Sequence, residues 1–205
     1  LHKAANVDVA RVLIEQGATV DATDSDGKTP LHEAETANIA RVLIEQGATV
    51  DATDNDGRTP LHEAGTANIA QLLIDEGASV DARADDGATP LLAAIRWDRA
   101  NVARVLLEQG AVVDATDSDG RTPLHEANTV KMVRLLINKG AAVDATDNDG
   151  ETPLHEANTV KMVRLLIDHG ASVDATDNDG KTPLQEILLG TEDQALAKIV
   201  QVLAE

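Results

Sequence analysis

The chain has 205 residues, of which 36 are acidic and 17 basic, so its formal net charge is -19 at neutral pH. Nucleic acids and anionic membranes both attract cationic protein surfaces, and this charge therefore argues against either as a partner. Because the chain has no cysteine, it can form neither a disulfide framework nor a thiolate zinc site, and no apolar run is long enough to span a bilayer.

A repeat runs through the whole sequence and is clearest in the motif Thr-Pro-Leu. Copies of the motif start 30, 30, 33, 30 and 30 residues apart, at Thr29, Thr59, Thr89, Thr122, Thr152 and Thr182. A fixed period of this length is typical of solenoids, in which each unit buries its apolar face against its neighbours. The sequence therefore predicts an all-α repeat solenoid that forms one domain, 1–205, without a linker.

The domain divides at the repeat boundaries. The predicted segments are a truncated first repeat (1–28), five repeats (29–58, 59–88, 89–121, 122–151 and 152–181) and a C-terminal capping repeat (182–205). Because the sequence starts in the middle of a repeat, we expect a fragment or a processed product.

Within a unit, the pattern predicts a short helix, a turn, a longer helix and a finger. In the copy at Thr29, this threonine caps a first helix that continues to Ala34, and Thr36 caps a second helix with an apolar stripe. Gly47 supplies a left-handed C-terminal cap, and the tetrapeptide that ends at Gly57, Asp-Asn-Asp-Gly, suits a type I turn.

This unit resembles the ankyrin repeat. The family motif T-P-L-H-x-A reads Thr-Pro-Leu-His-Glu-Ala from Thr29, Thr59, Thr122 and Thr152. The resemblance covers the whole chain and implies a stack of helix-turn-helix units with β-turn fingers. One difference is that the family unit usually has 33 residues, whereas most units here have 30. The missing residues fall between the two helices, which predicts a clipped first helix.

Histidine and aspartate recur at fixed positions. The resemblance implies that the motif histidines are structural and join neighbouring units. Five aspartate groups recur in the fingers, as in Asp51, Asp54 and Asp56, and turn chemistry is their simplest interpretation. A calcium loop of the D-x-D-x-D-G kind would need an acid where Ala52 stands, so we expect neither a metal nor any other cofactor.

The unit at Thr89 departs from the repeat. Its finger gains Arg83, and it alone carries the extra residues around Trp97, the only aromatic residue of the chain. Tryptophan and arginine dominate binding hot spots, so we expect a partner to bind here, flanked by acidic fingers. The predicted contact residues are Arg83, Ala88, Leu92, Arg96, Trp97, Arg99, Asp56, Asp86 and Asp119.

The functional hypothesis is a non-enzymatic scaffold that binds a protein through its fingers and concave helix surface. A basic partner fits the net charge, and we expect a soluble monomer and favour the cytoplasm. Two alternatives remain open at this point: a structural or consensus-like array without a specific partner, and a calcium-stabilised module. No Ser/His/Asp or Cys/His set stands apart from the repeat, so the sequence predicts no catalytic residue.

Overall fold

The computed structural model describes the backbone of residues 1–190 and the side chains of residues 1–186, so most of the expected capping repeat, 182–205, lies outside the described residues. Residues 1–190 contain nine helices and no strand. In chain order they are α1 (Val7–Glu15), α2 (Ala37–Glu45), α3 (Pro60–Glu63), α4 (Ala67–Asp75), α5 (Pro90–Arg96), α6 (Ala100–Glu108), α7 (Val130–Asn138), α8 (Val160–Asp168) and α9 (Pro183–Gly190). None of these helices is both long and apolar enough to cross a membrane.

Helix α2 begins and ends as the sequence predicts. At the start of α2, the Thr36 side chain accepts a hydrogen bond from the Ile39 N–H at 3.3 Å, which satisfies one of the free amides of the first turn. At its end, Gly47 adopts a φ of 89°, and the Ala48 N–H donates to the Leu43 carbonyl at 2.9 Å. This is the Schellman arrangement, which needs a residue that tolerates positive φ.

The predicted first helix is reduced to a turn in most units. In the unit at Thr29 the His32 N–H donates to the Thr29 carbonyl at 3.0 Å, but residues 30–33 form no helix. The prediction of a helix there is therefore wrong, and unit length alone does not explain it, because the unit at Thr59 has the same 30 residues and forms α3. A four-residue helix, α3, forms at Pro60, and the 33-residue unit has the seven-residue α5.

The contacts divide the chain into two compact units, which are described separately. Unit 1 comprises Leu1–Ala94 and Asn101–Ala111, and unit 2 comprises Ile95–Ala100 and Val112–Glu205. In unit 1, α2 contacts α1 on one side and α4 on the other, with Leu43 and Leu73 buried in the core. In the described part of unit 2, α7 packs against α8. Amphipathic helices thus bury their apolar stripes against the same stripe of the next unit.

Candidate functional site

The motif histidines join neighbouring units through hydrogen bonds. His62 Nδ1 accepts from the Thr59 N–H at 3.0 Å, which requires that this nitrogen carries no proton. Its Nε2 therefore carries the proton and donates to the Ala88 carbonyl, 26 residues further on, at 3.1 Å. The same pattern holds the other complete motif copies together, at His32, His125 and His155. The structural role implied by the family resemblance is confirmed.

We expect two of these histidines, His62 and His125, to make stability depend on pH. Burial lowers the pKa of His62 and of His125 below the ordinary value of 6.5. As the pH falls from about 6.5 towards these lowered values, the unfolded chain takes up protons that the folded chain does not. We therefore expect the free energy of unfolding to fall in this interval and to be fully retained above it. Urea titrations between pH 7.5 and 5 measure this slope, and the double variant His62→Gln/His125→Gln should make it shallower. An unchanged slope would contradict the assignment.

The aspartates of the fingers hold the backbone of the turns. Asp54, which is buried, accepts at Oδ1 from the N–H groups of Asp56 and Arg58, at 3.0 and 2.9 Å. Asp51 accepts from the Ser79 N–H of the following unit, with the closer oxygen at 3.1 Å. These contacts support turn chemistry as the role of the aspartates.

A separate group of three carboxylates lies in the described part of unit 2. Oxygens of Glu151, Asp177 and Glu186 lie within 4.8 Å of one another. Partial burial and the neighbouring Glu156 raise the pKa of Glu151. Glu186 already pairs with Lys181, whose Nζ lies 2.5 Å from the carboxylate, so the group is partly neutralised by the chain itself.

Charge pairs link the base of two fingers to a later repeat. Lys28 pairs with Glu63 at 3.2 Å in unit 1, and Arg121 pairs with Glu156 at 2.9 Å in unit 2. Both cations thus pair with a glutamate of a later repeat. In the irregular unit the position equivalent to Lys28 and Arg121 is occupied by Ala88, which carries no charge.

Arg96 supplies the cation that Ala88 lacks. Its Nη2 lies 3.5 Å from Glu126 and 2.5 Å from Asp117, whose side chain is only 2% exposed. Arg96 therefore has a structural role. The repeat pattern does not predict this role, because the other units have no arginine at this position. Together with Arg121, His125, Glu126, Ala127, Asn128, Glu156 and Asn158, it lines a polar cavity of about 270 Å³ in unit 2.

Replacing Arg96 by methionine should lower the free energy of unfolding by about 2 kcal/mol, because Asp117 would stay buried without its guanidinium partner. The loss stays moderate because Asp117 keeps the backbone N–H donors of Asp119 and Arg121. Arg104→Met, on the exposed face of α6, should change stability by less than about 0.5 kcal/mol. Chemical denaturation of both variants tests this prediction. Equal losses would show that the ion pair between Arg96 and Asp117 stabilises the fold no more than an exposed arginine does.

The predicted contact residues of unit 1 have different environments. Arg83 and Asp56 are exposed, and Asp86 is half-buried and accepts from the Ala88 N–H at 2.9 Å. Ala88 and Leu92, at 3% and 0% exposure, lie in the core, and Leu92 occupies the place of the motif histidine. Burial removes both of these side chains from the predicted contact set.

In unit 2 the extra residues place an exposed indole next to a guanidinium group. Trp97 is 40% exposed, and the guanidinium carbon of Arg99 lies 4.2 Å from the centroid of its ring. This is the distance of a cation–π contact, in which the guanidinium lies over one face of the indole. Asp98, between them, adopts a left-handed φ of 51° and accepts from the Thr129 hydroxyl at 3.3 Å. Asp119 is exposed on its finger.

The sequence pattern did not predict the residues that lie beside the extra segment at Arg96 and Asp98. Glu126 and Asn128 belong to the same cavity as Arg96, and Thr129 holds Asp98. All three recur 30 residues later, as Glu156, Asn158 and Thr159. The repeat pattern therefore predicts only a structural role for them. Their closeness to the extra residues follows only from the packing of the irregular unit against the next one.

Comparisons with known proteins agree with this architecture. The family model described as ankyrin repeats (3 copies) matches residues 1–84, 36–117, 64–147, 109–177 and 128–204. None of the curated proteins matches the sequence. The human ASB11 ankyrin repeat domain is similar in structure, with 27% identity, a TM-score of 0.85, and coverage of 98% of this chain and 96% of that one.

The ankyrin repeat domain of Bcl-3, a member of the IkappaB protein family, is also similar. It has 29% identity and a TM-score of 0.74, and the match covers 95% of this chain and 91% of that one. Ankyrin repeats generally mediate protein–protein interactions and are typically non-enzymatic. With the repeat motif, the helical units and the family model in agreement over nearly its full length, the chain belongs to the ankyrin repeat family.

Proposed function

We propose that this chain is a non-enzymatic, monomeric interaction module whose partner protein binds unit 2 around Trp97. The observation that carries the proposal is the exposed indole on an extra segment that the regular units lack. Most of the buried apolar residues serve the stack at positions that recur, whereas Trp97 does not recur and leaves two fifths of its surface in solvent. A large, rigid aromatic anchor of this kind gives contact area at a low cost in conformational entropy.

We propose that polar residues of unit 2 form a rim around this apolar anchor. Arg99 stacks on the ring, and Arg96, Glu126 and Asn128 line the cavity of unit 2. In this cavity the arginines already pair with carboxylates, so a partner would gain specificity there without leaving a buried charge unpaired. Specific affinity would come mainly from the indole.

The partner we propose is a basic protein. The chain carries 19 more acidic than basic residues, and fingers such as that of Asp119 expose their carboxylates. The negative electrostatic potential of these charges raises the rate of encounter with a cationic protein. This potential weakens with added salt, because exposed charges are screened over about 8 Å at physiological ionic strength. The exposed fingers at Asp56 and Asp86, with Arg83, remain predicted contacts on unit 1.

The experiment compares Trp97→Ala with Val112→Ala, a matched change at an exposed apolar residue of the same unit. Binders selected from a displayed library of protein fragments against the unmodified chain should lose at least about 30-fold in affinity for Trp97→Ala, the hot-spot range. They should lose less than about threefold for Val112→Ala. Stability of both variants should change by less than about 1 kcal/mol.

Two outcomes would contradict the proposal. Selected binders that tolerate Trp97→Ala would place recognition elsewhere on the chain. A library that yields no specific binder would favour the alternative of a structural array without a partner.

A further inference from the structure

The polar cavity of unit 2 begins at the segment that carries Trp97. Arg96, which precedes Trp97, lines the cavity. Asp98, which follows it, accepts from the Thr129 hydroxyl at 3.3 Å. Neighbouring helical repeats pack about 10 Å apart, and an extended chain advances about 3.3 Å per residue. An extended segment bound at the indole therefore reaches the cavity with a side chain about three residues away.

The two arginines of the cavity are already paired with carboxylates. Arg96 pairs with Asp117 and Glu126. Arg121 pairs with Glu126 at 3.0 Å and with Glu156 at 2.9 Å. An anionic group of a ligand would have to compete with these carboxylates for the guanidinium groups. The cavity is therefore poorly suited to an anion.

Three side chains of the cavity keep the capacity to accept hydrogen bonds. The Glu156 side chain is 36% exposed and, among residues 1–186, forms no ion pair other than that with Arg121. Asn128 and Asn158 are exposed, and their side-chain amides make no hydrogen bond with any described residue. The two amide oxygens and the Glu156 carboxylate can thus accept from a ligand that has several N–H donors.

The repeat pattern provides a cation near the glutamate of the motif, and at Glu156 this cation is replaced by an acid. Three equivalent glutamates pair with a cation five residues earlier: Glu63 with Arg58 at 3.9 Å, Glu126 with Arg121 at 3.0 Å and Glu186 with Lys181 at 2.5 Å. Five residues ahead of Glu156 stands Glu151, and the two carboxylates repel each other. The charge on this side of the cavity therefore favours a cationic ligand.

We infer, on the basis of the proposed function, that the cavity receives an arginine side chain of the partner, on an extended segment whose apolar residue covers Trp97. A guanidinium has five N–H donors in one plane, which suits acceptors spread over a carboxylate and two amides. The ammonium group of lysine is a point charge with three donors and matches this arrangement less well. The arginine also supplies the positive charge that Glu151 does not.

Linear peptides selected from a displayed random library against the unmodified chain test the partner's side of this contact. The selected sequences should share an arginine about three residues from a large apolar residue. In synthetic peptides, citrulline in place of this arginine keeps the shape without the charge and should weaken binding by at least about tenfold. Lysine should weaken it by at least about threefold. Sequences that share an acidic residue instead, or a citrulline peptide that binds equally well, would overturn the inference.

Variants of the chain test the cavity itself. Glu156→Gln should weaken the binding of the same peptides by at least about tenfold, and Asn158→Ala by about threefold. The matched control is Glu33→Gln, at the same motif position in unit 1, which should change the affinity by less than about twofold. The citrulline peptide should bind the unmodified chain and Glu156→Gln alike, because the charge pair is already absent.

The outcomes separate this inference from the proposed function. Peptides weakened by Trp97→Ala but not by Glu156→Gln would reject the cavity as an arginine site and retain the indole as anchor. Peptides weakened by Glu156→Gln but not by Trp97→Ala would support the arginine site and reject the indole. A selection that yields no specific peptide would overturn the inference, because the partner would then not be an extended segment.

Discussion

Replacing His125 by alanine should lower the free energy of unfolding by about 3–4 kcal/mol. The side chain is 3% exposed, and its Nδ1 accepts from the Thr122 N–H at 3.1 Å while Nε2 donates to the Glu151 carbonyl at 3.0 Å. Alanine would leave both backbone groups without this partner, at about 1–3 kcal/mol for each group that stays buried, and would open a cavity. Urea denaturation followed by circular dichroism measures the loss.

The chain itself offers the conservative substitution. At the equivalent position of the last unit, Gln185 accepts from the Thr182 N–H at 2.9 Å through Oε1. His125→Gln should therefore recover about half of the loss, because the amide oxygen replaces Nδ1 as acceptor. His169→Ala, at an exposed histidine outside the motif, should cost less than about 1 kcal/mol. A glutamine variant no more stable than the alanine variant would show that the loss reflects volume alone.

Replacing Gly57 by alanine should cost about 3 kcal/mol, and the same change at Gly47 about 1 kcal/mol. Both glycines have positive φ, at 73° and 89°, so an added Cβ is strained at each. At Gly57 it would also lie 2.5 Å from Asp85 Oδ1 and 3.0 Å from the Asp85 backbone nitrogen, whereas at Gly47 nothing lies within 4 Å. The difference between the variants therefore isolates the close approach of neighbouring fingers.

Thermal and urea unfolding of Gly47→Ala and Gly57→Ala measure that difference. Because the Asp85 N–H donates to the Asp56 carbonyl at 2.9 Å, Gly57→Ala should also increase hydrogen exchange at this amide. Equal losses for the two variants would mean that neighbouring fingers separate at no cost.

Most of the fold follows from the repeat, because the residues that build a unit recur in it. Thr36 predicts the start of α2, and Gly47 predicts its end, through local capping that needs no knowledge of the neighbouring units. The first helix was predicted less well. Whether a four-residue segment closes a helical turn depends on how the chain returns to the second helix, which the local pattern does not specify.

The candidate site was predicted only in part, for a reason that Arg96 and Leu92 illustrate. Residues without a counterpart in other units are predicted from the sequence to be available for binding. Leu92 instead fills the core position of a histidine, and Arg96 replaces the charge that Ala88 lacks. A non-recurring residue can compensate for another non-recurring residue, and only the packing reveals such pairs. Trp97 is a departure that stays exposed, with Arg99 stacked on its ring.

The fluorescence of Trp97 tests the central claim most directly, because it is the only tryptophan of the chain and needs no known partner. With 40% of the residue exposed, we expect red-shifted emission and efficient quenching by acrylamide. When a partner binds, the emission should shift to the blue and the quenching should become less efficient. Blue-shifted emission with poor quenching in the free chain would show that the indole is packed. Trp97→Ala would then cost about 3–5 kcal/mol of folding stability, and the proposed binding surface would be rejected.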